Sequence, residues 1–167
     1  YRKTTSIIYM DIANNIKALA KSIPEQVKLI AVSKTQPASA ILKAYDSGHK
    51  IFGENRVQEL CLKQSQLPQD IEWHMIGHLQ SNKVKTIAGF VDYIHSVDSI
   101  KLINTINSCA RKYDRTINCM LQVHIAQENT KYGFDFEEIT QLFSLRKLDE
   151  FKYINIVGLM GMATFTK

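Results

Sequence analysis

Apolar residues along this chain alternate between two periods. Ile8, Ile12, Ile16 and Leu19 recur at helical spacing and predict an amphipathic opening helix that ends before Pro24, because the residue ahead of a proline is driven out of the helical region. Short apolar runs of the kind buried in parallel strands follow, at Leu29 to Val32, Lys50 to Phe52, Ile71 to Ile76, Tyr93 to Val97, Ile117 to Ile125 and Tyr153 to Met160. A helical pattern follows each run but the last. In one of these, Ile41, Leu42 and Tyr45 share a face and Gly48 is the stop. In another, Asp98 is placed to cap and Ile103, Ile106 and Ala110 face inward; a third opens on Asp135 and Glu138, which read as a capping box, and runs through Leu142 and Phe143. Strands alternating with helices predict right-handed crossovers and an α/β fold with a parallel sheet.

Two architectures share that rhythm: an open doubly wound sheet, and a (β/α)8 TIM-type barrel with about six of its βα units present. Site logic separates them. A nucleotide-binding open sheet should carry a glycine fingerprint after its first strand, and the turn here is Ser33-Lys34-Thr35-Gln36-Pro37, without glycine. Instead, polar groups stand just past the carboxyl ends of the strands: Lys34, Asn55, His78, Ser96 with Asp98, and Gln127. That is the top face of a barrel. Complete barrels run to about 250 residues, whereas this chain has 167. The expectation is one barrel domain over residues 1–167, truncated before its last strands.

Composition narrows the function classes. With 45% apolar and 22% charged residues, the chain reads as one globular domain. Its net charge of +5 is scattered rather than gathered into a basic stripe, which argues against a nucleic-acid partner. No apolar stretch approaches the ~18 residues of a membrane span. The opening segment carries Lys3, Asp11, Lys17 and Lys21 instead of a signal-peptide core, so the expected location is the cytoplasm. Cys61, Cys109 and Cys119 form no C-x-x-C pair, which leaves buried thiols as the reading and no disulfide framework or zinc ribbon.

Lys34 follows directly on Leu29-Ile30-Ala31-Val32, which would set its amine at a strand end beside a low-dielectric interior. Shielding from water favours the neutral amine, and a neutral amine attacks carbonyls to form Schiff bases. Taken alone, a lysine at a strand end is usually just solvated. Asn55 offers a hydrogen-bonding amide or, alternatively, an Asx cap on the helix through Val57, Leu60 and Cys61, while Arg56 beside it reads as a solvated helix residue. His74 and His78 stand four apart without the glutamate of a metalloprotease helix, and their surroundings read as strand, so no metal is expected. His78 is then the pocket candidate and His74 a structural residue. Ser96 and Asp98 are ligand contacts or an ordinary capping pair. Met160 and Met162 flank Gly161 where the sixth strand ends.

Five motifs occur in order: A-V-S-K-T-Q-P, F-G-E-N-R-V-Q-E, W-H-M-I-G-H-L-Q-S-N-K, H-S-V-D-S and G-L-M-G-M. Together, from about Lys28 onward, they resemble the pyridoxal-phosphate homeostasis protein family, also called the YggS or PROSC family. The resemblance implies a fold similar to the barrel domain of alanine racemase. It implies pyridoxal 5′-phosphate as cofactor, held as a Schiff base on Lys34, with Asn55 and Met160 beside it; His78 and Ser96 join the expected cofactor-binding set from their places after the strands, and no catalytic residue is expected. The segment Gln127 to Gly133 looks like the family's polar loop, and His124 departs from an asparagine common near that position. The phosphate cradle and a ring-nitrogen arginine would lie in later units. The implied role is vitamin B6 homeostasis, with pyridoxal-phosphate-dependent apo-enzymes as possible recipients and a monomer favoured. The alternatives are a racemase-type enzyme, a cofactor-free Schiff-base enzyme and an interaction module with an incidental lysine.

Overall fold

The computed structural model of the protein describes residues 11–125, 132–145 and 147–161. The elements are α1 (Ile12–Ser22), β1 (Ala31–Val32), α2 (Ala38–Asp46), β2 (Ile51–Glu54), α3 (Val57–Gln66), β3 (Glu72–Met75), α4 (Val84–Ile87), β4 (Tyr93–Val97), α5 (Ile100–Arg111), β5 (Ile117–Val123), α6 (Phe136–Ser144) and β6 (Ile154–Gly161). Short 3-10 turns, Ser81–Lys83 and Lys147–Glu150, lead into α4 and β6.

Local chemistry sets the helix ends. Asp11 caps α1 by accepting the Asn14 N–H, and α1 stops at Ser22, ahead of Pro24. None of its residues is fully buried: Ile12 and Ile16 lean on the core while Leu19 is exposed, and Ile8 lies outside the described residues. Asp135 and Glu138 form the expected reciprocal capping box on α6. The cap of α5 is Ser99, whose Oγ accepts the Leu102 N–H, and not Asp98, whose carboxylate turns instead to His78 at 3.2 Å. On α2 the inward stripe is Ile41 and Ala44, with Leu42 exposed, because Leu42 lies about 100° round the helix from Ile41.

All six strands are parallel and lie in the order β1-β2-β3-β4-β5-β6. A doubly wound sheet reverses its strand order at a switch point. A strictly sequential parallel order has no such point and is the wall of a (β/α)8-type barrel. The side chains of Phe52, Trp73, Met75, Ile94, Cys119 and Leu121 form a core with Leu60, Ile87, Ile103 and Ile106 from the helices. Each fully buried Leu, Ile or Phe there contributes about 1.5–3 kcal/mol. The outer strands are less covered: Val32 on β1 is 52% exposed and Leu159 on β6 is 55% exposed. Cys109 and Cys119 are buried and Cys61 half-buried, all as free thiols, and burial pushes the Cys119 thiol up to about 12. Among the described residues no helix is long and apolar enough to cross a membrane.

Candidate functional site

Parallel strands all point their carboxyl ends the same way, so the residues that follow them share one rim. Lys34 follows β1, Asn55 follows β2, His78 comes three residues after β3, and Asp98 follows β4. Lys34 is exposed, and no hydrogen bond or ion pair involves its amine among the described residues. The shielding from water expected of it is therefore not met. The reason is its strand: β1 has two residues and, among the described residues, a single neighbouring strand, β2.

The turn carrying Lys34 is held firmly although the side chain is free. The Ser33 N–H donates to the Gly53 carbonyl at 3.0 Å, and its hydroxyl donates to Glu54 Oε1 at 2.6 Å. The Ser33 carbonyl accepts from Lys63 Nζ at 2.7 Å. That ammonium also donates to Glu54 Oε1 at 2.7 Å and Glu59 Oε1 at 2.6 Å, which uses all three of its protons. On the far side of Lys34, the Thr35 N–H donates to the same Glu59 Oε1 at 2.7 Å. Thr35 adopts φ +64°, a left-handed conformation that costs a β-branched residue on the order of 1–2 kcal/mol. Glu54 is fully buried and its Oε2 has no hydrogen-bond partner among the described residues. The Lys63 ammonium, with the Thr35 N–H, holds the Glu59 carboxyl below the ordinary range against the opposing effect of burial.

Asn55 does not cap α3. The N-cap position belongs to Arg56, which makes no side-chain cap bond, so the Asn55 amide is left available on the rim. Beside it the backbone after β3 comes very close: a Cβ on Gly77 would lie 2.4 Å from the Asn55 carbonyl oxygen, which only glycine avoids. The Gly77 carbonyl accepts the Ser96 hydroxyl at 2.6 Å. Ser96 is thus buried and its proton committed, tying the ends of β3 and β4 together.

His78 pairs with Asp98 at 3.2 Å and stacks on Tyr132 at 3.9 Å between centroids. With Gln80, Asn82 and Lys101 these residues line an open cleft of about 640 Å3, whose lining includes neither Lys34 nor Asn55. The structure therefore brings Asn55, Gly77 and Ser96 together and places His78 in a cleft of its own. Met160 is half-buried on β6, in register with Gln122 of β5, whose amide donates to the Tyr132 carbonyl at 2.7 Å. Gln127 and Met162 lie outside the described residues.

A second polar cluster lies nearer the amino ends of β3 and β4. His74 Nε2 donates to Glu72 Oε1 at 2.7 Å, so its Nδ1 is the acceptor for His95 Nε2–H at 2.8 Å. His74 stacks on Tyr93 at 4.3 Å, and Lys28 bonds Glu72 at 2.9 Å while sitting 4.9 Å over the Tyr93 ring. Burial lowers the basicity of both histidines, that of His74 against the pull of Glu72, and brings His95 down to about 4. His74 is structural, as its sequence context suggests. No group of three His, Cys, Asp or Glu able to hold a metal occurs among the described residues.

Sequence reasoning missed Lys63, Glu54 and Glu59. One signal was present: Val57, Leu60 and Lys63 sit at three-residue intervals on α3, which places a lysine on the stripe that faces the core.

Comparison with known proteins adds to this geometry. Residues 8–166 match the family described as alanine racemase, N-terminal domain. The pyridoxal phosphate homeostasis protein of Escherichia coli (strain K12) is 34% identical over 166 residues, covering 91% of this chain and 70% of that protein. Its counterpart in Aquifex aeolicus is 40% identical over 139 residues, covering 83% of this chain and 60% of that protein. Among solved structures, PipY of Synechococcus elongatus with PLP bound superposes with a TM-score of 0.82 at 38% identity, covering 93% of this chain and 72% of that one. An alanine racemase of Clostridium difficile 630, at 13% identity and a TM-score of 0.69, covers 94% of this chain and 41% of that one, and shares the fold alone.

Proposed function

This chain belongs to the pyridoxal phosphate homeostasis protein family, and from that premise we propose that it binds pyridoxal 5′-phosphate through Lys34 and holds it without turning it over. The observation that carries the reading is the Lys34 turn: an amine with no hydrogen bond or ion pair among the described residues, exposed to solvent, on a backbone fixed from behind by a buried ion-pair set. The donor set fits the cofactor's ring half. The amine supplies a nucleophile, the Asn55 amide beside it a hydrogen bond, and Met160 across the rim an apolar wall. When bound, the cofactor would supply an electrophilic aldehyde, and Lys34 would be the residue that holds it. His78 and Ser96 belong to the surrounding rim, His78 oriented by Asp98 and Ser96 bracing Gly77.

The relatives' names support a homeostasis role over catalysis, and the likeness to alanine racemases carries no activity at 13% identity. In the same reading the protein works in the cytoplasm as a monomer, residues 1–167 belong to one barrel domain, and apo-enzymes that need the cofactor receive it. The full-length protein is expected to bind pyridoxal 5′-phosphate with a yellow absorbance band, and Lys34→Ala to abolish it. Borohydride should fix the cofactor on the peptide containing Lys34. Labelling elsewhere sinks the assignment. Turnover of amino acids by the loaded protein would favour the racemase-type alternative.

A further inference from the structure

Among the described residues the Lys34 amine makes no hydrogen bond or ion pair, so its position is set chiefly by the backbone on either side. Five hydrogen bonds hold that turn: the Ser33 N–H to the Gly53 carbonyl, the Gln36 N–H to the Ser33 carbonyl, and three that run to side chains of β2 and α3, the Ser33 hydroxyl to Glu54, the Ser33 carbonyl from Lys63, and the Thr35 N–H to Glu59. Lys63 joins the set, since its ammonium touches both carboxylates as well as the Ser33 carbonyl. The set spans two elements, with Glu54 at the end of β2 and Glu59 and Lys63 one turn apart on α3.

Stability does not account for this arrangement. Buried ion pairs are often no more stabilising than apolar side chains of the same volume, because the cost of removing charge from water offsets their attraction. Here Glu54 is fully buried with one oxygen unpartnered, and Lys63 is 4% exposed. Thr35, whose N–H donates to Glu59, also adopts a left-handed backbone that its β-branched side chain resists. An orphaned acceptor, a buried charge set and a strained residue therefore converge on one turn, and the one reactive group on that turn is Lys34.

We infer that Lys63, Glu54 and Glu59 are positioning residues for Lys34. They clamp the residues on both sides of it, so that the amine is presented from one backbone geometry. The inference rests on the reading of Lys34 as the attachment point, and it adds three residues that do not themselves reach the cofactor. A clamp of this kind acts by limiting misplacement of the reacting atom, which is worth on the order of tenfold to a hundredfold in rate.

The test uses the full-length protein, pyridoxal 5′-phosphate as probe, and the variants Glu54→Met/Lys63→Met and Glu59→Ala. The double variant replaces the buried pair with apolar chains of similar length, while Glu59 is partly exposed and its loss leaves the core intact. Leu142→Ala, on the remote helix α6, serves as a control that loses stability without touching the turn. Two quantities are read: the rate of colour formation, and amide hydrogen exchange across Ser33 to Gln36 in protein free of cofactor. Both variants are expected to react at least ~tenfold more slowly than the parent and to exchange the Thr35 amide faster by a similar factor. The control should match the parent in both. A parental rate or parental exchange in the double variant overturns the inference. If the parent itself fails to react, the attachment reading falls, while the exchange measurement still decides whether the clamp exists.

Discussion

Behind β1 and β2, Lys63 and Glu54 are buried as an ion pair at 2.7 Å, whereas between β3 and β4, burial disfavours the charged forms of His74 and His95. The first cluster needs a full set of partners and still leaves Glu54 Oε2 without one. The second forms a chain of imidazoles ending on the Glu72 carboxylate, with no fully buried unpartnered atom in it among the described residues. Neutral groups lose little on leaving water if each donor finds an acceptor, whereas charged ones lose several kcal/mol that only close opposite charges restore. The costlier solution stands next to the exposed lysine and the cheaper one nearer the amino ends of β3 and β4. This distribution is expected if the first cluster is kept for geometry and the second for packing.

The sharpest way to break the comparison is to unbalance the charged cluster. Lys63→Met leaves Glu54 buried without a counter-charge and is expected to cost about 3–5 kcal/mol in urea unfolding. Adding Glu54→Met should recover most of that loss, because no charge is then left stranded. The two changes are in contact and should couple strongly in a double-mutant cycle. Additive losses would show that the cluster works as ordinary packing.

Acid probes the neutral cluster next. His95 is held at about 4 by burial and by the neighbouring His74, below the ~6.5 of an unfolded chain. Below pH ~6.5 the unfolded state takes up this proton and the folded state does not, so stability present above that pH is lost as pH falls toward 4. The loss should reach about 2–3 kcal/mol. His95→Asn retains a donor for His74 and removes the titration, so the difference between the two pH profiles isolates the effect from Asp92, whose carboxyl burial raises. Parallel profiles between pH 4 and 6.5 would refute it.

The fold was largely legible in the chain because a parallel sheet writes itself as short apolar runs. The run Tyr93 to Val97 is β4 to the residue, and the sequential strand order follows from simple alternation without a glycine fingerprint. Elements at the edge were harder. Leu29 and Ile30 belong to the predicted first strand, but β1 pairs only over Ala31–Val32, because pairing depends on a neighbour that a local pattern does not contain. The same dependence explains why Lys34 was expected to be shielded. In the site, the rim residues could be read from their places after the strands, yet the choice between Asp98 and Ser99 as cap was decided by His78, twenty residues earlier in the chain. Lys63 was hidden by its type, since lysine reads as solvated until a structure shows both carboxylates converging on it.

The smallest expected effect lies where the neutral cluster meets solvent. Lys28 and Glu72 form an ion pair at 2.9 Å, but their side chains are 45% and 31% exposed, so water screens them as it does not screen Lys63 and Glu54. Lys28→Met should therefore cost only about 0.2–1 kcal/mol, with the loss shrinking further at high salt. Lys28 also lies over the Tyr93 ring, and the methionine retains much of that apolar contact. The histidine chain should be left intact, because His74 bonds Glu72 directly and does not need the lysine. The variant's unfolding profile should accordingly keep the parent's slope between pH 4 and 6.5. A loss as large as that of Lys63→Met would mean that this pair, too, is effectively buried, and that exposure is not what separates the two clusters.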